Sequence, residues 1–285
     1  MSRPEIISDP AALHAWASKH GDAGARIVLV PTMGALHEGH LSLVREARRH
    51  GDAVVVSIFV NPTQFGPNED LDNYPRDLEA DIEQLASVDV QVIFTPTPKT
   101  VYRPGFDTYV VPQSMGSVLC GVSRPNHFRG VCTVVLLLFR MSRCHVAVFG
   151  EKDFQQLQIM RRMTRDLWLD VDIVGAPIVR EPDGLAMSSR NAYLSETERR
   201  DALALSRALE RIADLFAAGE RHAAVLLKSV HQTLAEAASA RIEYAEIVDT
   251  ETLQPLARVE QSAVCALAVF VGATRLIDNR RLTAT

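Results

Sequence analysis

The sequence predicts an α/β protein: a Rossmann-like, doubly wound parallel sheet followed by a smaller C-terminal α+β domain. Three observations predict it. Apolar runs such as Ala53–Val60, AVVVSIFV, have the near-continuous hydrophobicity of strands covered on both faces. Through the first two-thirds of the chain these runs alternate with amphipathic segments of helical length, the rhythm of repeated β-α units. After Glu181-Pro182-Asp183-Gly184 the rhythm changes to two long helical segments and then to strands. A boundary is therefore expected near residue 180, with 1–179 as the first domain and 180–285 as the second. A length of 285 residues fits that division at about 150 residues per domain.

The elements follow in order. Asp9-Pro10 opens a helix with a capping residue and a proline at the first helical position, and Gly21 follows it. Ile27–Val30 reads as a short buried strand ended by Pro31. Gly39–His50 reads as a helix with Leu41, Val44 and Ala47 on one face, Arg45, Arg48 and Arg49 outside, and Gly51 as its stop. Strand Ala53–Val60, helix Pro75–Val88 and strand Gln91–Phe94 come next. A turn-rich stretch then carries a short strand near Thr108–Val111. Phe128–Arg143 is the most apolar helix, followed by strand His145–Phe149, helix Asp153–Asp166 and strand Val171–Val174. In the second domain, Ser195 with Glu198 forms a capping box at the head of Ser195–Ala218. Helix His222–Ser239 and strands Ile242–Val248 and Val264–Val271 complete it.

Composition excludes several classes. Thirty Lys+Arg against 35 Asp+Glu give a net charge of -5, which argues against a broad nucleic-acid-binding surface. The longest plainly apolar run, Val131–Phe139, is far below the roughly 20 residues a membrane helix needs. MSRPEIISDP lacks the apolar stretch of a secretory signal. Cys120, Cys132, Cys144 and Cys265 are scattered without a CxxC and read as buried apolar thiols. A cytoplasmic protein, with no nucleic-acid or membrane partner, is expected.

Four segments carry chemistry. In PTMGALHEGHLSLV, 31–44, a buried strand enters a glycine-bearing turn and then a helix. That arrangement aims free backbone N–H groups and a helix dipole at one spot, an anion site. His37 and His40, three apart, can share a face and donate to phosphate oxygens. HEGH is one residue short of HExxH, so helical zinc spacing fails, while paired histidines that are merely solvated or capping remain open. In VNPTQFGPNEDLDNYPR, 60–76, Asn61 and Gln64 follow a strand end, where α/β ligands bind. Their neutral amides suit a substrate hydroxyl and carboxylate, though Asn61-Pro62 is also ordinary turn chemistry.

In HVAVFGEKDFQQL, 145–157, a strand ends in Gly150 and a helix begins with Glu151-Lys152-Asp153. Lys152 opposes the helix dipole in a chain that otherwise holds only Lys19, Lys99 and Lys228. A compact ammonium beside a phosphate explains the choice, with one exposed lysine as the alternative. Of Gln155 and Gln156, one is expected to face the cleft and the other to turn away. In DGLAMSSRN, 183–191, Gly184 supplies a flexible point, Ser188 and Ser189 supply hydroxyls, and Arg190 can grip a phosphate through two bonds. A serine-rich linker is the plainer reading. A G-x-S-x-G, a P-loop and a G-x-G-x-x-G after the first strand are all absent.

Together, and in this order, these segments resemble the pantoate–β-alanine ligase family of the nucleotidylyltransferase superfamily. MGALHEGH at 33–40 looks like that family's HIGH motif and MSSRN at 187–191 its KMSKS motif, with arginine in place of a lysine. VNPTQFG, YPR, FRGV at 128–131, FGEKD and GATRLIDN at 272–279 are similar to family segments. Asn126, where the family pattern has glycine, and Cys132 depart from it. The resemblance implies ATP, Mg²⁺, (R)-pantoate and β-alanine as ligands, a mobile lid domain and a homodimer. It implies that ATP is lined by Met33, Gly34, Ala35, Leu36, His37, Glu38, Gly39 and His40, by Gly150, Glu151, Lys152 and Asp153, by Val179, and by Met187, Ser188, Ser189 and Arg190. It makes His40 the catalytic histidine, assisted by His37 and Lys152, and gives Gln64 and Gln156 to pantoate, with Gln64 also near β-alanine. No protein metal site is implied, since magnesium is held mainly through ATP phosphates. A related nucleotidylyltransferase that leaves AMP on its product, or a non-catalytic nucleotide-binding module, are the alternatives.

Overall fold

The structure is a computed structural model that describes residues 3–67 and 69–284, so Asn68 of the 60–76 segment and the first two residues of MSRPEIISDP lie outside it. In the first part of the chain the elements are β1 (Glu5–Ile7), α1 (Pro10–Asp22), β2 (Ile27–Thr32), α2 (Glu38–Ala47), β3 (Ala53–Ile58), α3 (Leu78–Ala86) and β4 (Val92–Phe94). They continue as α4 (Pro98–Val101), α5 (Cys120–Ser123), α6 (His127–Ser142), β5 (Val146–Gly150), α7 (Phe154–Asp166) and β6 (Asp172–Ala176). After these come α8 (Glu196–Ala217), α9 (Ala223–Leu234), β7 (Ala240–Val248), β8 (Ser262–Val271) and β9 (Thr274–Thr283).

Two compact units result. The first gathers Met1–Ser117, Gly121–Glu151 and Ile159–Pro177, and the second Val118–Cys120, Lys152–Gln158 and Ile178–Thr285. The second thus includes two short stretches that the sequence placed before residue 180.

The first unit is built on a parallel sheet in the order β1-β4-β3-β2-β5-β6. Burial on both faces explains its composition. Val28, Val30, Val54 and Val56 pack with Leu41, Val44 and Ala47 of α2 in one core, while Ile27 and Leu29 are equally buried where α1 and α6 pack. At about 25 cal/mol per Å² of apolar area, each fully buried Val, Leu or Ile side chain contributes roughly 1.5–3 kcal/mol. Asp9 caps α1 through the Ala12 N–H at 2.9 Å.

Three expectations are corrected here. Pro31 does not end its strand: β2 continues to Thr32, because β5 pairs β2 only at Val28 and Leu29 and leaves that edge open at Pro31. Gly21 lies within α1 rather than after it. Thr108–Val111 is not a strand, because the Val110 N–H bonds Thr133 Oγ1 at 3.0 Å, a side chain where a strand partner would stand.

In the second unit, α8 and α9 contribute Leu205, Leu209, Ile212, Leu226 and Val230 to a core shared with the antiparallel sheet β7-β8-β9. The Ser195–Glu198 capping box is present, with Ser195 N–H donating to Glu198 Oε2 at 2.9 Å. Strand β9 escaped the sequence reading because charge breaks its apolar alternation. Thr274, Leu276, Asp278, Asn279 and Leu282 are its buried positions, and Asp278 is only 3% exposed.

Candidate active site

After edge strand β1 the chain passes to the central β2, builds outward through β3 to β4 beside β1, then crosses back to β5. The β2/β5 neighbours are thus the point where strand order reverses, and ligands of open α/β sheets bind beyond the carboxyl ends of such strands. Met33–His37 leaves β2 there. Gly34 has φ +87° and Ala35 φ 51°, so the backbone turns through the left-handed region at two successive residues. A Cβ on Gly34 would also stand 3.0 Å from Asp81 Oδ2 and 3.1 Å from Ile58 Cγ2.

This turn does not leave its amides free, which corrects the expectation of a backbone anion site. Gly34 N–H donates to Thr32 Oγ1 at 3.4 Å, and Ala35 and Leu36 N–H donate to the Asp81 carboxylate at 3.0 and 2.7 Å. His37 N–H donates to His40 Nδ1 at 3.3 Å and Gly39 N–H to His37 Nδ1 at 3.1 Å, a capping box made of two histidines. The backbone of this turn is therefore engaged within the chain. Both rings accept at Nδ1, so each neutral ring carries its proton on Nε2. The rings lie face to face with centroids 4.1 Å apart and planes tilted by 35°. Glu38 turns outward to Arg45, whose hydrogen bond holds its carboxyl below the usual range, and Leu36 is buried in the core.

At the end of β3, Asn61 is 1% exposed and its amide is fully engaged. Nδ2 donates to Gln64 Oε1 at 3.1 Å and to Gly130 O at 3.2 Å. Oδ1 accepts from Thr63 N–H, Thr63 Oγ1 and the Tyr102 hydroxyl, the last at 2.7 Å. Asn61, expected to touch substrate, thus has both amide hydrogens committed within the chain and orients Gln64. Gln64 Nε2 faces Met33 Sδ at 3.0 Å. Gly130 of α6 lies so close that a Cβ there would stand 2.3 Å from Thr63 O and 2.6 Å from Gln64 N, which explains the glycine in FRGV. Arg124 binds Glu69 at 2.7 and 2.5 Å, and His127 Nδ1 donates to Gln64 O at 2.9 Å. Burial alone would raise the Glu69 carboxyl, but Arg124 holds it below the ordinary range.

In the second unit, Lys152 sits in a single 3₁₀ turn, Glu151–Asp153, that precedes α7. Burial pulls its ammonium pKa down and the Arg190 guanidinium adds to that, against Asp153 and Asp278. Its carbonyl accepts from Asn279 Nδ2 at 3.0 Å. Asp278 is gripped by Arg180 at 2.7 and 3.0 Å. Of the two glutamines, Gln155 is the one turned inward to the scaffold: it accepts from Cys120 N–H at 3.0 Å and donates to Val118 O at 2.7 Å. Gln156 is partly exposed.

Residues 179–191 form a hairpin-like loop rather than a plain linker. Arg180 bridges Ala186, Met187 N–H donates to Val179 O at 3.0 Å, and Gly184 turns the tip at φ +95°. Arg199 of α8 pins it through Glu181 and Asp183, both at 2.6 Å. Ser188 caps the short 3₁₀ helix Ser189–Tyr193 by accepting from Arg190 N–H at 3.3 Å, and Asn191 ties that helix to Glu181 at 2.6 Å. Asp81, Tyr102, Asp278 and Asn279 went unassigned in the sequence, because their roles lie in contacts with partners distant along the chain.

Among the described residues no cluster of three His, Cys, Asp or Glu side chains could hold a metal. A metal carried on a triphosphate needs no such cage. An open groove of about 620 Å³ beside Val101, Phe106 and Leu137 contains none of the expected site residues.

A lysine whose charge is opposed by burial costs the fold stability. With a folded pKa below the unfolded one, its unfavourable contribution shrinks as pH rises from the folded pKa toward the ordinary lysine value and is gone above it. Lys152→Met is therefore expected to unfold at or above the wild-type temperature in a thermal scan while losing turnover. A clearly lower melting temperature would contradict this reading.

A family model described as pantoate-beta-alanine ligase matches residues 5–281. The pantothenate synthetase of Anaeromyxobacter dehalogenans is 55% identical over 289 residues, 99% of this chain and 100% of that protein. That of Geobacter sulfurreducens is 53% identical over 274 residues, 96% and 97% of the two chains. The crystal structure of pantothenate synthetase from Thermus thermophilus matches with a TM-score of 0.93 at 43% identity, covering 98% of this chain and 100% of that one. A pantoate-beta-alanine ligase from Francisella tularensis, complexed with beta-gamma ATP and beta-alanine, matches at a TM-score of 0.79 and 34% identity over 97% of each chain. With its family motifs set out on a reversing parallel sheet and a family match across nearly its whole length, the chain belongs to the pantoate–β-alanine ligase family.

Proposed function

We infer that this chain is an ATP-dependent ligase that condenses (R)-pantoate with β-alanine, releasing AMP and pyrophosphate. The observation that carries the reading is the reciprocal His37–His40 capping box in the turn after β2, in a chain whose family is named for this reaction. The ligands of the Francisella relative, beta-gamma ATP and beta-alanine, support two of the three substrates.

The reaction has two steps. The pantoate carboxylate attacks the α-phosphorus of ATP and pyrophosphate leaves. The β-alanine amine then attacks the carbonyl of the pantoyl adenylate, and AMP leaves with the electrons of the broken C–O bond. Neither step needs a protein nucleophile, so positioning and charge stabilisation carry the catalysis. His40 and His37 donate to phosphate oxygens as charge grows on them. Lys152 supplies a compact cation, and Ser188, Ser189 and Arg190 hold the departing pyrophosphate. Met33, Gly34, Ala35, His37, Gly39 and His40, with Gly150–Asp153, Val179 and Met187–Arg190, line the nucleotide, while Leu36 packs in the core and Glu38 pairs with Arg45. Gln64 and Gln156 hold pantoate, and Asn61 acts through Gln64. Magnesium, when bound, neutralises phosphate charge and rides on the nucleotide.

Residues 1–179 act as the nucleotide- and pantoate-binding domain and 180–285 as a lid that shields the adenylate from water. Four buried cysteines, none in a disulfide, suit the reducing cytoplasm. A homodimer, implied by resemblance, is tested by light scattering against the 31.4 kDa chain mass.

Mixing the protein with ATP and pantoate, without amine, is expected to release one equivalent of pyrophosphate and leave AMP on pantoate. Pyrophosphate release that strictly requires β-alanine would reject the two-step route. Labelled AMP that stays on the final product would favour a nucleotidylyltransferase instead.

A further inference from the structure

Successive backbone N–H groups of a tight turn form a concave nest that takes an anion. The Gly34–Ala35 turn, with φ +87° and 51°, makes such a nest, and its occupant is part of the chain. Asp81 of α3 is 2% exposed, and its two oxygens accept separately from Ala35 and Leu36 N–H at 3.0 and 2.7 Å. One turn further along α3, Gln84 Nε2 donates to Leu36 O at 3.3 Å, so the N–H and the C=O of Leu36 are both held from the same helix. Burial pushes the Asp81 carboxyl up, with Asp77 adding to it, and the two amides oppose that rise. An ion costly to bury is thus held by two backbone donors. What it fixes is the segment delivering His37, two residues beyond.

We propose that Asp81 is a positioning residue for the ligase reaction: its carboxylate acts as a built-in anion that occupies the Ala35–Leu36 nest and sets the approach of the His37–His40 pair to the phosphates. This rests on the functional reading above. It also accounts for the filled nest: the carboxylate keeps phosphate off the turn's amides and leaves the imidazole Nε2–H groups as the turn's phosphate donors. Asp81 touches no reacting atom and changes the rate only through the turn.

The test uses Asp81→Ala and Asp81→Asn in the full-length enzyme, with wild type as control. Asp81→Ala empties a carboxylate-sized space lined by two N–H donors. Its kcat is expected to fall roughly 10- to 100-fold, with the KM for β-alanine little changed, because small misplacements near the chemistry cost rates of that order. Formate at tens of millimolar is expected to fill the space and restore kcat at least several-fold. Formate does not restore Asp81→Asn, whose amide keeps the space full and turns an N–H toward an N–H. Hydrogen exchange at Ala35 and Leu36 is expected to speed up in Asp81→Ala and slow again with formate. A role in folding alone predicts lost stability without formate-dependent recovery of either rate. Wild-type kcat in both variants, or a loss in Asp81→Ala that formate does not reverse, would overturn the proposal. Should Asp81→Ala fail to fold, Asp81→Asn with wild-type kcat would overturn it and a reduced kcat at unchanged thermal stability would support it. An inactive wild type would instead overturn the ligase reading, so the two failures are distinct.

Discussion

Replacing His40 by alanine is expected to lower turnover roughly 10²–10³-fold, about 3–4 kcal/mol of transition-state stabilisation, with the fold intact. The size follows from where the donors are. The amides of Gly34, Ala35, Leu36, His37 and Gly39 already donate within the chain, so the turn after β2 has little backbone capacity left for growing phosphate charge. His40 also accepts the His37 N–H through Nδ1, so its loss removes one Nε2–H donor and loosens the other ring of the pair. His37→Ala is expected to be slower than wild type for the same reason. Steady-state kinetics on folded variants measure the effect. Near-normal kcat for His40→Ala would remove the histidine pair from the chemistry.

Gly130→Ala is expected to be the most damaging small substitution outside the phosphate-binding residues. Its methyl would stand 2.3 Å from Thr63 O and 2.5 Å from Thr63 C, both backbone atoms that no rotamer change can move. Relief requires α6 to shift from the Asn61–Gln64 turn, which breaks the Asn61 Nδ2 bond to Gly130 O. Overpacking against backbone belongs at the upper end of its range, about 3 kcal/mol or more. Two readouts are expected together: a melting temperature lower by several degrees and a raised KM for pantoate, because Asn61 orients Gln64. Wild-type values for both would show that the close approach of α6 is not needed.

The pattern of what the sequence revealed follows from locality. Buried parallel strands announce themselves by composition, so β2, β3 and β5 were legible from Val-rich runs, as were α1 and α8 from Asp9 and Ser195 with Glu198 at their heads. Strand β9 was not, because Arg275, buried Asp278, Arg280 and Arg281 break its apolar period-two pattern. The histidine pair was legible because both members lie in one turn of chain. The state of the amides around it was not, because Asp81 comes from 45 residues away. For the same reason Asn61 read as a substrate contact. Its saturation by Gln64, Gly130 and Tyr102 depends on α6 and on the segment after α4. Gln155 and Gln156 could be divided in principle by adjacency, but only Val118 and Cys120 decide which one turns inward.

The central claim is that His40, Lys152 and Arg190 act on the phosphates of one nucleotide. A crystal of the enzyme soaked with ATP and pantoate tests it most directly. The expected map shows an adenylate or its ATP precursor with His40 Nε2, Lys152 Nζ and the Arg190 guanidinium each within hydrogen-bond reach of a phosphate oxygen. A nucleotide that meets one of these groups while the others face separate cavities would contradict the account.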